Sequence, residues 1–247
     1  MKTKIKTVKE IADMRSSGKI LTEVLTIVTS HIKEGITPKQ LDKIAKDETD
    51  KRGAKPAFLD YRGFPASLCV SVNDQIVHAL PDDRKLKQGD IVGLDFGINY
   101  NGMITDSAIT VGVGKINEQA DHLLKETKKA LYRAVDIIKD GIRIGDISAT
   151  IEESLTKANL KIIKSLTGHG VGHQLHEDPS IPNFGTKGTG QTLRAGMTIA
   201  IEPIASISSE KLKLADNGWT CLTSDGSLSA HFEHTILITK KGSEILT

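Results

Sequence analysis

The chain has 247 residues, 38% of them hydrophobic and 26% charged, which suits a soluble globular protein with a sizeable core. Its net charge of +2 carries no block of like charges, so no nucleic-acid arm is expected and no direct nucleic-acid motif is found. No run approaches the ~18 apolar residues of a membrane span, and the basic start Met1-Lys2-Thr3-Lys4-Ile5-Lys6 lacks the apolar stretch of a secretory signal.

Ile11, Met14, Ile20, Leu21, Val24, Leu25, Val28 and Ile32 recur at helical spacing and predict a helix near 8–34. Thr37-Pro38-Lys39-Gln40 opens a second helix: Thr37 caps it, Pro38 suits its first turn and Gln40 completes a capping box. Strands are expected at about 67–73, 75–79, 90–100 and 103–113. Helices near 117–140 and 145–158 follow, and then strands near 162–167, 197–207, 219–223 and 231–239. The Gly/Pro/Thr-rich stretch from Glu177 to Gln191 reads as a loop. The layout is α+β, with helices outside a curved antiparallel sheet.

Asp95 lies in the strand ending Leu94-Asp95-Phe96-Gly97, and Asp106 in Met103-Ile104-Thr105-Asp106. Asn101-Gly102 between them is a strong hairpin signal. With that turn, Tyr100 faces Met103 and Asp95 faces Ala108. Asp106 is then a diagonal neighbour of Asp95 on the same face. Taken alone, the hairpin also admits two unrelated carboxylates on a solvated turn.

A repeat narrows the choice. Leu86-Lys87-Gln88-Gly89, leading to Asp95, matches Leu193-Arg194-Ala195-Gly196, leading to Glu202, at an offset of 107. Lys33-Glu34-Gly35-Ile36 matches Lys139-Asp140-Gly141-Ile142 at an offset of 106. Two halves, about 8–114 and 115–240, therefore suggest an internal pseudo-twofold repeat within a single domain, with Asp95 and Glu202 as symmetry mates. Asp95, Asp106, His169, Glu202 and Glu233 then form a hard, oxygen-rich set suited to two divalent cations, which together can activate a bridging water for amide hydrolysis.

Three of the eight histidines fall in Gly168-His169-Gly170-Val171-Gly172-His173-Gln174-Leu175-His176. The seven-residue spacing of His169 and His176 is not that of a helical zinc pair. One imidazole can ligate while another contacts substrate, and His173 reads as a bystander. His78 precedes a turn and is open to either a cleft or a surface role. The two cysteines, Cys69 and Cys221, point to a reducing compartment rather than a disulfide framework.

Val77-His78-Ala79-Leu80-Pro81, the Asp95 strand, Thr105-Asp106-Ser107, Gly168-His169-Gly170-Val171-Gly172, Ile201-Glu202-Pro203 and Phe232-Glu233-His234 occur in that order. Together they resemble the type I methionine aminopeptidases over nearly the whole chain. The resemblance implies the pita-bread fold and a metal-dependent enzyme that removes the initiator methionine when the second residue is small. By the same resemblance, Asp95 holds the second metal, Asp106 and Glu233 bridge both, and His169 and Glu202 complete the first, with Glu202 as general base. His78 and His176 contact substrate and stabilise the tetrahedral intermediate. Tyr61, Phe64, Cys69, Leu175 and Trp219 line the methionine pocket.

The cofactors implied are two divalent ions (Mn, Fe, Co or Zn), and the partners are nascent polypeptide N-termini, met near the ribosomal exit. A cytoplasmic monomer is expected. Ala79, Phe64, Leu175 and His173 depart from the family's common pattern and bear on pocket shape rather than reaction class. Proline-specific relatives carry an extra N-terminal domain, and type II relatives an insertion where only 25 residues separate His176 from Glu202. A ligand-depleted binding module is the alternative from another class, and retention of all five ligand types argues against it.

Overall fold

The computed structural model describes residues 4–247, so the first part of the basic start, residues 1–3, lies outside them. In chain order the elements are α1 (Val8–Ser30), α2 (Pro38–Lys51), β1 (Lys55–Pro56), β2 (Cys69–Val72), β3 (Gln75–Val77), β4 (Ile91–Tyr100) and β5 (Met103–Gly112). There follow α3 (Glu118–Asp136), α4 (Ile144–Lys157), β6 (Lys161–Ile162), β7 (Thr167–Gly170), β8 (Glu177–Pro182), β9 (Thr198–Ile201) and β10 (Ile204–Ser206). The last are β11 (Leu212–Leu214), β12 (Cys221–Thr223), β13 (Ser229–His231), β14 (Glu233–Ile238) and β15 (Ser243–Ile245).

The main antiparallel sheet runs β1-β4-β5-β14-β9-β7-β8, with β2 also on β4 and β15 on β14. Two smaller sheets, β13-β10-β6 and β11-β12-β3, carry strands away from it.

Each pair of helices covers one half of the sheet. Leu21, Val24 and Val28 of α1 and Leu41 of α2 pack on Val92, Leu94, Phe96 and Ile98 of β4. Leu123 and Leu131 of α3 and Ile147, Ile151 and Leu155 of α4 pack on Ile199, Ile201, Ile236 and Ile238. Because strand side chains alternate, filling the helix side with Leu94, Phe96, Ile201 and Ile236 turns Asp95, Glu202 and Glu233 to the opposite, concave face. Each fully buried aliphatic or aromatic side chain stabilises the fold by about 1.5–3 kcal/mol. Phe96→Ala, at a side chain with no exposure, is therefore expected to cost about 3–5 kcal/mol, read as a lower denaturant midpoint at unchanged m-value.

The two copies of the sequence repeat adopt the same local geometry. Gly35 and Gly141 both have φ of 89°, and Gly89 and Gly196 have 90° and 89°. Gly35 N–H donates to Leu86 O and Gly141 N–H to Leu193 O, both at 2.9 Å. Gly89 N–H donates to Val113 O and Gly196 N–H to Ile238 O, again at 2.9 Å.

Several predicted bounds are corrected. The helices expected to reach 34 and 140 end at Ser30 and Asp136. Ile36, Ile138 and Ile142 stay buried beyond these ends, so the apolar rhythm outlasts the helix. The strand expected over 162–167 is instead two short ones, β6 and β7. The stretch read as a loop begins with β8, whose Pro179 and Pro182 are tolerated because it is an edge strand.

The strands expected at 197–207 and 231–239 each break, at Glu202-Pro203 and at Phe232. Pro203 has no N–H for a ladder, and each chain leaves the main sheet there for the β13-β10-β6 sheet.

Candidate metal centre

The β4–β5 hairpin has the register expected from its turn: Asp95 pairs with Ala108, Gly97 with Asp106 and Tyr100 with Met103. Asp95 and Asp106 are therefore diagonal neighbours on the concave face. β14 brings Glu233 opposite Ala108. That junction is locked by side chains: Asp106 N–H donates to Thr235 Oγ1, whose hydroxyl donates to Asp106 O, both at 2.8 Å. Ser107 Oγ donates to Glu233 O at 2.7 Å. β7 places His169 beside Ala200 of β9, two residues before Glu202.

His169 Nδ1 lies 2.9 Å from Gly170 O. A carbonyl only accepts, so Nδ1 carries the proton and the Nε2 lone pair is free. That nitrogen lies 3.6 Å from Glu202 Oε1 and 3.9 Å from Asp106 Oδ2. Burial lowers the His169 pKa to about 4, so the ring is a neutral donor.

The carboxylates move the other way. Burial, then the Asp106 charge, pushes Asp95 well up. Burial, then Asp95 and Asp106, does the same to Glu202. Glu233 is raised by burial, then by Asp106, Glu202 and Asp95, and burial raises Asp106 to about 7.

Asp95 Oδ1, Asp106 Oδ1 and Glu233 Oε1 are buried without a hydrogen-bond donor. Asp106, His169 and Glu233 each offer one ligand atom within 4.8 Å of the others. Four crowded carboxylates, two of them buried at Asp106 and Glu233, beside neutral imidazoles cannot all ionise unless cations compensate them. The donor set therefore fits divalent metal, with oxygen favoured over soft ligands.

All twelve side chains singled out in the sequence line one cavity of about 530 Å³. One wall is apolar and built on Phe58, Phe64, Cys69, Leu175 and Trp219, with Phe64 and Trp219 edge-to-face at 5.3 Å. Cys69 pairs with Asp95 across β2 and β4. Its thiol pKa is raised, first by burial and then by Asp95, so it packs as a neutral apolar group rather than acting as a nucleophile.

His176 Nδ1 is 2.9 Å from the Tyr61 hydroxyl, and its ring centre is 4.3 Å from that of His169. His78 follows β3 directly, with φ of 55°, a left-handed conformation uncommon for a side-chain-bearing residue. His173 lies apart from the cavity lining, its Nε2 2.7 Å from Glu10 Oε1.

Sequence reasoning passed over His231. It is buried, with Nε2 3.6 Å from both Glu202 Oε2 and Glu233 Oε2. Its position two residues before Glu233, one strand period away, was the available signal.

A model of metallopeptidase family M24 matches residues 12–240. The chain is 43% identical over 243 residues to the methionine aminopeptidase of Clostridium perfringens, covering 98% of each. It is 47% identical over 249 residues to that of Aquifex aeolicus, covering 97% of this chain and 96% of the relative. The crystal structure of the Thermotoga maritima methionine aminopeptidase superposes with a TM-score of 0.98 at 45% identity, covering 99% of both chains. A prolidase from Pyrococcus furiosus superposes at 0.81 with 25% identity, over 98% of this chain but 65% of that one.

Proposed function

The chain belongs to metallopeptidase family M24, and we infer that its cleft removes the initiator methionine from nascent proteins when the second residue is small. It has the pita-bread fold and is a metal-dependent methionyl aminopeptidase. The observation that carries this reading is the convergence of Asp95, Asp106, His169, Glu202 and Glu233 beside an apolar wall that includes a sulfur and aromatic rings, a lining that suits a thioether side chain. The halves 8–114 and 115–240 form one catalytic domain in this reading, supported by their matched glycine turns.

Asp95 would hold one cation, His169 and Glu202 a second, and Asp106 and Glu233 would bridge the two. When bound, such a pair of Mn, Fe, Co or Zn ions supplies Lewis acidity to the scissile carbonyl and lowers the pKa of a shared water. Glu202 takes the proton from the attacking water and returns it to the leaving amine.

His176 is neutral, its pKa lowered chiefly by burial. With the Tyr61 hydroxyl donating to Nδ1, the Nε2–H is left to hydrogen-bond the carbonyl oxygen as negative charge develops there. His78, whose pKa is lowered by desolvation, lines the same cavity and orients the peptide. Phe64, Cys69, Leu175 and Trp219 seat the methionine side chain and exclude water from it.

His176→Ala is expected to lower kcat by about 10²–10³-fold while metal stoichiometry, measured by elemental analysis, stays unchanged. Unchanged turnover would return His176 to a packing role.

We further propose that it works in the cytoplasm, as a monomer, near the ribosomal exit where nascent N-termini emerge. Its two buried free thiols accord with a reducing compartment. No helix among the described residues is long and apolar enough to cross a membrane. Anaerobic cleavage of Met-Ala-Ser and Ala-Pro-Ala with Mn²⁺, Fe²⁺, Co²⁺ or Zn²⁺ tests the assignment. Release of methionine from the first peptide alone is expected. Cleavage of the second alone would favour the proline-peptidase reading that the prolidase likeness allows, and cleavage of neither would favour a binding module.

A further inference from the structure

Residues 4–7 form a strap that crosses the turn leading to His176. Lys6 N–H donates to Gly196 O at 2.8 Å, which pins the strap to the turn that precedes β9. The Lys6 side chain is fully buried, and its Nζ lies 2.7 Å from Oε2 of Glu177, which is itself 5% exposed. The other oxygen of Glu177 accepts the backbone N–H groups of His173 at 2.7 Å and Gln174 at 3.1 Å. One carboxylate therefore closes the 173–177 turn from inside while the strap's ammonium holds that carboxylate.

Gly172 makes room for this arrangement. A Cβ there would lie 2.3 Å from Lys6 Cε, and its φ of +150° suits glycine. A second tie lies outside: Glu10 Oε1 meets His173 Nε2 at 2.7 Å while Oε2 accepts Thr7 N–H at 2.7 Å, capping α1. A buried ion pair is weak as a source of stability, because desolvating both charges offsets most of their attraction. Here both charges are directed at the geometry of a five-residue turn whose fourth member is His176.

We propose that Lys6 is a positioning residue of the catalytic centre: by holding Glu177 inside the 173–177 turn, it fixes the His176 imidazole against the scissile carbonyl. The proposal rests on the peptidase reading given above for the consequence in turnover, but not for the ordering of His176. It makes the strap ahead of α1 part of the active-site scaffold, although none of its residues lines the cavity.

The test is the paired variant Lys6→Met/Glu177→Gln, which removes both charges at nearly constant volume and leaves no uncompensated ion. Relative to wild type, kcat on Met-Ala-Ser is expected to fall by about 10- to 100-fold, as a small misplacement of a catalytic group does. KM should change by less than about threefold, because the apolar wall of Phe58, Phe64, Cys69, Leu175 and Trp219 is left intact. Bound metal should stay at the wild-type stoichiometry, and the His176 imidazole resonances in ¹⁵N-histidine-labelled protein should broaden or shift.

Gly172→Ala, which pushes the Lys6 stem aside from the other direction, should give the same pattern and replaces the paired variant if that one does not fold. Wild-type turnover together with unmoved His176 resonances overturns the proposal, and so does a loss of kcat in a folded variant that merely follows lost metal. If wild type cleaves neither test peptide with any cation, the peptidase reading fails and the His176 resonances alone decide the strap's role.

Discussion

Glu202→Gln should leave a folded protein whose kcat on Met-Ala-Ser is lower by about 10²–10⁴-fold, the range a general base contributes. The amide keeps an oxygen toward His169 Nε2, now 3.6 Å from Oε1, so some metal affinity survives, but it cannot take the water's proton. Glu202→Ala removes the oxygen as well and should lose both turnover and part of the bound metal. The fold should tolerate either change. Glu202 sits at the break between β9 and β10, and its charge is repelled by Asp95 and Asp106, so its removal relieves strain in the metal-free protein. Steady-state kinetics and elemental analysis on the two variants separate base from ligand. Near-normal turnover in Glu202→Gln would remove the assignment of the base.

Stripping the cations should abolish turnover and expose the cost of the carboxylate cluster as a pH-dependent stability. The folded pKa values of Asp95, Glu202 and Glu233 are raised well above normal, and that of Asp106 to about 7. Unfolded carboxylates titrate near 4. Between about pH 4 and 7 these carboxyls therefore hold more protons in the folded chain than in the unfolded one, so their contribution to stability is greatest on the acid side and falls as pH rises through 7.

A carboxyl whose folded and unfolded pKa values differ by one pH unit changes the stability by about 1.4 kcal/mol. Buried histidines, with pKa values lowered to about 4 at His169 and about 3 at His176 and His231, oppose this trend below about pH 6.5, so the carboxyl loss is read between pH 7 and 8. At about 2–4 °C per kcal/mol for a chain of this size, the metal-free protein should melt a few degrees lower at pH 8 than at pH 7. Added Mn²⁺ should reverse the trend and raise Tm more at pH 8, where fewer protons must be displaced from the ligands. Calorimetry at the two pH values, with and without cation, reads this directly. A metal-free protein whose Tm rises toward pH 8 would mean that the cluster does not titrate as a buried group.

Much of the site was legible in the chain because its signals are local. Asn101-Gly102 sets the hairpin turn, the turn sets the register, and the period of two then places Asp95 and Asp106 on one face. The glycine turns of the two repeats were legible for the same reason, since an obligatory left-handed glycine marks the backbone wherever it falls.

Other parts were not legible. β8 reads as a loop because its prolines break the pattern, yet an edge strand accepts them. Glu202 and Glu233 were placed inside continuous strands, whereas both stand where the chain leaves the main sheet. Nothing local distinguishes a strand that ends from one that changes partners.

By itself the sequence determined the α2 cap and the hairpin register and marked the candidate donor types and the repeat, because each of these signals lies within a short segment of the chain. Only the tertiary structure decided that β7, β9 and β14 carry His169, Glu202 and Glu233 to the Asp95–Asp106 hairpin. It also decided that His231 joins them, and that Lys6 reaches Glu177 across 171 positions of sequence. The reason is burial: packing the helix faces on Leu94, Phe96, Ile201 and Ile236 turns the alternate residues of distant strands to one concave side. The charges gathered there shift one another's pKa values in ways that no single segment encodes.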